Sequence, residues 1–276
     1  MQFKILIYSS LFLFLPLLST SQKGFELGAW LGAAHYFGDL NNLYRLNEPG
    51  VAGGLIGRYN YNTRVSTRLQ LNYMRIRGND SKSSNAFDLR RNLSFFSDII
   101  EVAPSMEFNF FTLKHGSKDN YITPYMYAGF SVFYFSPKTY YNGELISLRT
   151  LGTEGQIPGQ EYNEISTSWL IGGGVKMDVS ANWSINVDLG YRAARTDFLD
   201  DVSGFYPDYT ELRANRGDLA VELSDRSIAG TDQSKIGVSG SQRGDSKEKD
   251  AFVSFGINLL YYFGRLRCPE ISTPRY

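Results

Sequence analysis

The residue types that usually carry chemistry are few in this chain and stand far apart. Two histidines, His35 and His115, and one cysteine, Cys268, are spread over 276 residues. A histidine can act as general base for a neighbouring serine, or as one ligand of a metal. Two histidines and one cysteine do not complete a structural zinc site without carboxylate help. No Ser-His-Asp order stands out, so no nucleophile is paired with a base, and the residues argue against an enzyme. His35 lies near the end of an alternating run, where a rim base or an interfacial side chain would both sit. The acids Asp197, Asp200 and Asp201 are of calcium-binding type, but lack the glycine-spaced periodicity of a calcium loop, which favours a solvated or capping role. Gly53–Gly54 and Gly172–Gly174 have no helix after them, so they mark bends or close backbone approach and not phosphate loops. No cofactor and no metal are expected.

A second set of polar residues stands out by position. Glu26, Arg58, Arg68, Glu101, Glu107, Lys176, Asp188 and Arg192 all lie on the polar side of period-two patterns, which is the signature of strands. In one such run Trp183, Ile185, Val187, Leu189 and Tyr191 share a face, and Ser184, Asn186, Asp188, Gly190 and Arg192 share the other. Eight strands are read near 25–37, 50–61, 65–77, 93–111, 121–136, 164–180, 183–195 and 250–264. A membrane-crossing strand needs roughly 9–11 residues, whereas soluble strands average about 5–6. Short turns follow the second, fourth and sixth strands, and long polar connections follow the first, third, fifth and seventh. This predicts an all-β fold, an eight-stranded antiparallel transmembrane β-barrel of OmpA/OmpW-like size. It would sit in the outer membrane with long extracellular loops, short periplasmic turns and both termini in the periplasm. The longest loop, 196–249, reads as partly disordered. The soluble alternative, a sandwich or lipocalin-like cup, turns its apolar face inward.

With the apolar faces on lipid, the polar faces fill the lumen. An eight-stranded barrel is only wide enough inside for its own side chains, and charges in so dry a space must pair. Glu26, Glu101, Glu107 and Asp188 set against Arg58, Arg68, Lys176 and Arg192 therefore read as a structural plug, ahead of a proton relay or narrow pore.

Composition agrees. Lys+Arg and Asp+Glu are both 28, a neutral balance without the basic excess that nucleic acid requires. A mean hydropathy of -0.27 excludes a bundle of membrane helices. Residues 1–21 have the basic start, apolar run and small-residue end of a signal peptide. Residues 22–264 form the barrel and 265–276 a periplasmic tail, kept extended by its prolines. The lone Cys268 in that tail suggests a disulfide to another chain or a free thiol, or is simply a neutral small residue. Arg265, Arg267, Cys268 and Pro269 are the candidate partner-docking residues.

Several short motifs occur in one order along the chain: Gly32 to Asn41 (GAAHYFGDLN), Arg58 to Asn62 (RYNYN), Arg91 to Phe95 (RNLSF) with Ile100 and Glu101, and Glu107 to Phe111 (EFNFF). They continue with Thr123 to Gly129 (TPYMYAG), Leu151 to Gln156 (LGTEGQ), Thr196 to Ser203 (TDFLDDVS) and Arg267-Cys268-Pro269. In these the chain resembles the PorG family, outer-membrane barrels of the type IX secretion system of Bacteroidota. The resemblance implies a non-enzymatic barrel that links the periplasmic ring of the lipoprotein PorK and its partner PorN to the outer membrane. It also implies support for export of cargo with a C-terminal sorting domain, including adhesins in gliding species. The alternative is a surface adhesin or ligand-binding barrel working through loops 137–163 and 196–249.

Overall fold

Neighbouring side chains of a strand point to opposite sides, and the chain uses this to separate its two chemistries. In the computed structural model, residues 23–42, 45–229 and 234–264 are described; the expected signal peptide, 1–21, and tail, 265–276, lie outside the described residues. The strands are β1 (Gly24–Phe37), β2 (Gly50–Asn60), β3 (Val65–Asn79), β4 (Ser94–Asn109), β5 (Ile122–Tyr141), β6 (Glu144–Ser147), β7 (Ile165–Asp178), β8 (Trp183–Ala194) and β9 (Ala251–Tyr262). All pairings are antiparallel, in the order β4-β3-β2-β1-β9-β8-β7-β5, and β4 pairs with β5 to close the ring. The result is a closed eight-stranded antiparallel barrel. Its first and last strands are neighbours, from Glu26 opposite Tyr262 to Phe37 opposite Ala251, so both ends of the barrel chain emerge on the short-turn side.

The barrel strands run from 11 residues in β2 to 20 in β5. β5 extends past the expected end at 136 because Asn142 and Gly143, at φ 50° and 84°, turn it back onto β6. Two residues with positive φ form the tight hairpin whose twist matches that of strands, and Asn-Gly suits it best.

Two sequence expectations are corrected. The lumen is not polar along its whole length. Towards the long loops it is packed with Tyr36, Met74, Ile76, Phe95, Ile99, Phe133, Phe135 and Phe252. There the stretches 93–100 (LSFFSDII) and 130–135 (FSVFYF) are apolar on both faces, which blurs the period-two contrast.

The second correction concerns the loop 196–249, which is folded over the barrel mouth wherever it is described. It follows α1 (Ala86–Arg91) of the second long loop and contains α2 (Tyr209–Arg216) and α3 (Asp218–Ser224). Asp208 caps α2 by accepting from the backbone N–H groups of Thr210 (2.7 Å) and Glu211 (3.2 Å). Leu212, Ala220 and Leu223 are buried beneath, in a lid that also buries Leu40, Leu93, Leu148, Leu199 and Val202. Polar composition misled because much of the polarity bonds inward to other loops.

Candidate functional site: the charged lumen and its lid

The eight charges expected in the lumen all point inward and are buried. Arg58 Nη1 lies 2.7 Å from Glu26 Oε2, and its Nε lies 3.0 Å from Glu107 Oε1. Glu107 is also paired with Lys176 and lies 3.8 Å from Arg68 Nη1. Arg68 Nη2 reaches Asp188 Oδ2 at 2.6 Å. Arg192 lies at 3.2 Å from both Glu101 oxygens and donates to the Gly190 carbonyl at 3.0 Å. Each ion thus meets an opposite charge on another strand, which is the only low-energy way to bury it.

Neutral groups complete the network. Tyr125 and Tyr127 donate to the two Asp188 oxygens at 2.9 and 2.7 Å. The Tyr127 ring carries the Arg68 guanidinium at 4.5 Å. Glycine makes room: a Cβ at Gly172 would fall 2.3 Å from the Tyr127 ring, and one at Gly190 2.5 Å from its hydroxyl. Trp30 Nε1 donates to Asn72 (2.8 Å), which donates to Glu101 (2.7 Å). The gap among Trp30, Arg68, Asp188 and Asn258 holds no water-sized volume.

Two members of the network were missed by sequence reasoning. Asp178 ends β7 on the inward face, and His115 folds back from the turn after β4. His115 Nδ1 lies 3.0 Å from Asp178 Oδ2, its Nε2 lies 3.3 Å from Glu26 Oε1, and its ring stacks on Tyr262 at 4.0 Å. Burial disfavours the charged ring, but the bonds to Asp178 and Glu26 prevail and raise its pKa to about 9. Protonated His115 offsets the additional Asp178, so the network stays neutral. The alternation of β7 already marked Asp178; nothing local marked His115.

At the other end, two buried arginines tie the loops together. Arg91 donates to both Asp80 oxygens (2.8 and 2.9 Å) and to the carbonyls of Asp39 (2.7 Å) and Arg243 (2.9 Å). Arg243 donates to Glu154 (3.1 Å) and to the carbonyls of Asp201 (2.6 Å) and Ser224 (3.2 Å). The acids read as solvated or capping are buried. Asp201 accepts from Thr153 (2.5 Å) and Tyr162 (2.7 Å), and Asp197 accepts from Ser203 (2.7 Å). Asp200 accepts from the Val202 N–H at 2.9 Å. These bonds make the acids capping groups of the lid, and among the described residues no group of acids, histidines or cysteines is arranged to hold a metal.

The Tyr36 hydroxyl lies 2.6 Å from Asp200 Oδ2 and 2.8 Å from Asp250 Oδ1. One phenol proton cannot serve two carboxylates, so one carboxyl keeps its own proton. Burial and mutual repulsion push Asp200 and Asp250 well above the ordinary carboxylate range. Burial likewise lifts Asp39 and Asp201 to about 6.

The outer wall has the opposite chemistry. Leu31 (77% exposed), Trp169 (69%), Leu55, Ile100, Phe130, Ile171, Phe255 and Ile257 project outward. This apolar belt circles the barrel and far exceeds the patches of a few hundred Å² that soluble proteins expose. His35 also faces outward, from β1 opposite Val253, at the barrel end away from His115. A cavity of about 680 Å³ opens at the rim of the lid, between the first, second and fourth long loops. Arg265, Arg267, Cys268 and Pro269 lie outside the described residues.

No curated protein matches the sequence. Among solved structures, Neisserial surface protein A is similar at 11% identity and a TM-score of 0.44, over 87% of this chain and 97% of that one. OprG of Pseudomonas aeruginosa is similar at 9% identity and a TM-score of 0.43, over 89% and 98%. Outer membrane protein W of E. coli is similar at 13% identity and a TM-score of 0.35, over 88% and 100%. A family model described as "Domain of unknown function (DUF6089)" matches residues 4–222, most of the sequence, and the chain belongs to that family.

Proposed function

We propose that this chain is an outer-membrane barrel that anchors a periplasmic secretion assembly and conducts nothing itself. One observation carries the reading: an apolar outer wall, charged only at the long-loop border of β3–β5, surrounds a lumen filled by its own paired side chains. Such a wall needs a bilayer. Such a lumen leaves no path for solute. The working surfaces are then the loops and the short-turn end.

The resemblance to the PorG family favours the short-turn end, with the type IX secretion system as the assembly and PorK/PorN-type ring proteins as the partners. In this reading the turns and both chain ends face the periplasm. The tail then leaves β9 on the partner's side of the membrane, where Arg265, Arg267, Cys268 and Pro269 would dock. The test is a pull-down from detergent-solubilised envelopes with a tag in an extracellular loop, run with and without reductant. Recovery of a periplasmic ring lipoprotein is the expected result. A higher-mass band that vanishes on reduction or in Cys268→Ser would give the cysteine a covalent role.

The rim cavity supports a second reading, a surface adhesin or ligand-binding barrel. Asn41, Asn85, Asp88, Gln242 and Lys249 line it with hydrogen-bonding groups. A barrel that comes down alone in mild detergent, with function lost when loops 137–163 or 196–249 are trimmed, would favour that reading over the anchor.

A further inference from the structure

The apolar belt has one charged border. On the outward faces of the eight barrel strands, the Lys, Arg, Asp and Glu residues are Arg75 and Arg77 of β3, Asp98 of β4 and Lys138 of β5. All four lie at the long-loop end of three adjacent strands. The register places Arg75 opposite Asp98, and Phe96 between Arg77 and Lys138. The row below is Tyr73, Ile100 and Tyr134, an aromatic pair of the kind that marks the edge of a hydrocarbon layer.

The patch is built and not merely exposed. Asp98 accepts from Arg75 Nε at 2.7 Å, from Arg75 Nη2 at 3.1 Å and from the Tyr73 hydroxyl at 2.7 Å. This holds the Arg75 guanidinium 4.9 Å from the centre of the Phe96 ring, on which the Tyr140 ring also stacks at 5.6 Å. Lys138 stays 3.9 Å from Asp98, too far for a strong pair, and Arg77 is exposed. Three cations against one acid leave two positive charges to be answered. Arg77 and Lys138 flank one residue of β4, so their backbones are about 10 Å apart, within reach of one phosphorylated headgroup. Cations are expensive in hydrocarbon but nearly free at its border, and the groups that meet a barrel wall at that depth are lipid headgroups.

We infer that Arg77 and Lys138, with Arg75 held beside them by Asp98, form a binding site for the phosphate of an anionic outer-leaflet glycolipid. The inference rests on the outer-membrane reading and its orientation. It deepens that reading by assigning the long-loop rim of β3–β5 to a phosphorylated lipid in place of a protein partner.

The experiment uses the full chain folded in neutral detergent and measures bound lipid by native mass spectrometry. The probes are a bis-phosphorylated acylated disaccharide (lipid A), its dephosphorylated form and inorganic phosphate. The phosphorylated lipid should bind at least about tenfold tighter than the dephosphorylated one. Arg77→Gln combined with Lys138→Gln should remove that preference, while Lys247→Gln on the exposed lid should leave it intact. The charge-preserving pair Arg77→Lys with Lys138→Arg should keep most of it, which separates lost charge from lost fold. Equal binding of the two lipids, or an unchanged preference in the double Gln variant, overturns the site. Displacement of the lipid by millimolar inorganic phosphate overturns the lipid as its source. A peptide tag inserted after Lys247 and probed on intact cells tests orientation separately: no surface signal removes the underlying reading. A surface signal without phosphate preference removes only this inference.

Discussion

His115 and Asp178 meet at the short-turn mouth of the barrel, Nδ1 to Oδ2 at 3.0 Å, although one comes from a turn and the other from the end of β7. Glu26 of β1 takes the other ring nitrogen at 3.3 Å. A single imidazolium thus joins β1 to β7, three strands away around the ring, and stoppers the lumen from the turn side.

His115 should make barrel stability fall as the medium becomes alkaline. Its folded pKa, about 9, lies above the ordinary histidine value, so its contribution is complete below about 6.5 and lost as pH rises through about 9. His115→Asn should flatten that dependence and cost about 3 kcal/mol at neutral pH by stranding Asp178. Urea unfolding in detergent micelles between pH 6 and 10 on both proteins measures this.

Glu107 is the hub of the lumen, with Arg58, Lys176 and Arg68 all turned towards it. Glu107→Gln removes the charge and leaves these cations to repel one another, at a cost of roughly 3–5 kcal/mol. Glu107→Gln with Lys176→Met, which removes a cation as well, should recover part of the loss. The check is the temperature at which heat-modifiable gel migration is lost.

Arg243 holds the lid and not the barrel. Arg243→Ala removes its bonds to Glu154, Asp201 and Ser224, and should raise protease cleavage within 196–249 by tenfold or more, about 1.4 kcal/mol of local stability. The β-sheet circular dichroism should not change. Simultaneous loss of both would show that lid and barrel unfold as one unit.

The lid should be tightest in mild acid. Asp39 and Asp201 have folded pKa values of about 6, and Asp200 and Asp250 lie well above the carboxylate range. Their raised values mean that the folded lid binds more protons than the open one between the ordinary carboxylate pKa and about 6. Stability therefore falls as pH rises through that window. Hydrogen exchange of 197–206, corrected for the intrinsic rate, should accelerate from pH 5 to pH 8. Asp200→Asn should reduce the change, because an amide needs no proton to share Tyr36 with Asp250.

Period-two alternation, strand length and the long-short rhythm of connections were local properties. They sufficed to determine the barrel, its strand number, and the inward direction of Glu26, Arg58, Arg68, Glu101, Glu107, Lys176, Asp188 and Arg192. Which of these ions pair was not local. Arg68 of β3 reaches Asp188 of β8, on the opposite wall of the ring, a contact made by closure of the ring and not by sequence neighbours. His115 was silent in the sequence because a turn has no periodicity to show which way its side chain points. The lid acids read as either solvated or capping because composition counts polar groups without saying whether their partners are water or another loop. Arg91 and Arg243 become structural only once four separated loops converge over the barrel mouth. Alternation records which side of a strand a residue faces, a matter of backbone geometry. What a side chain meets there depends on where the rest of the chain has gone.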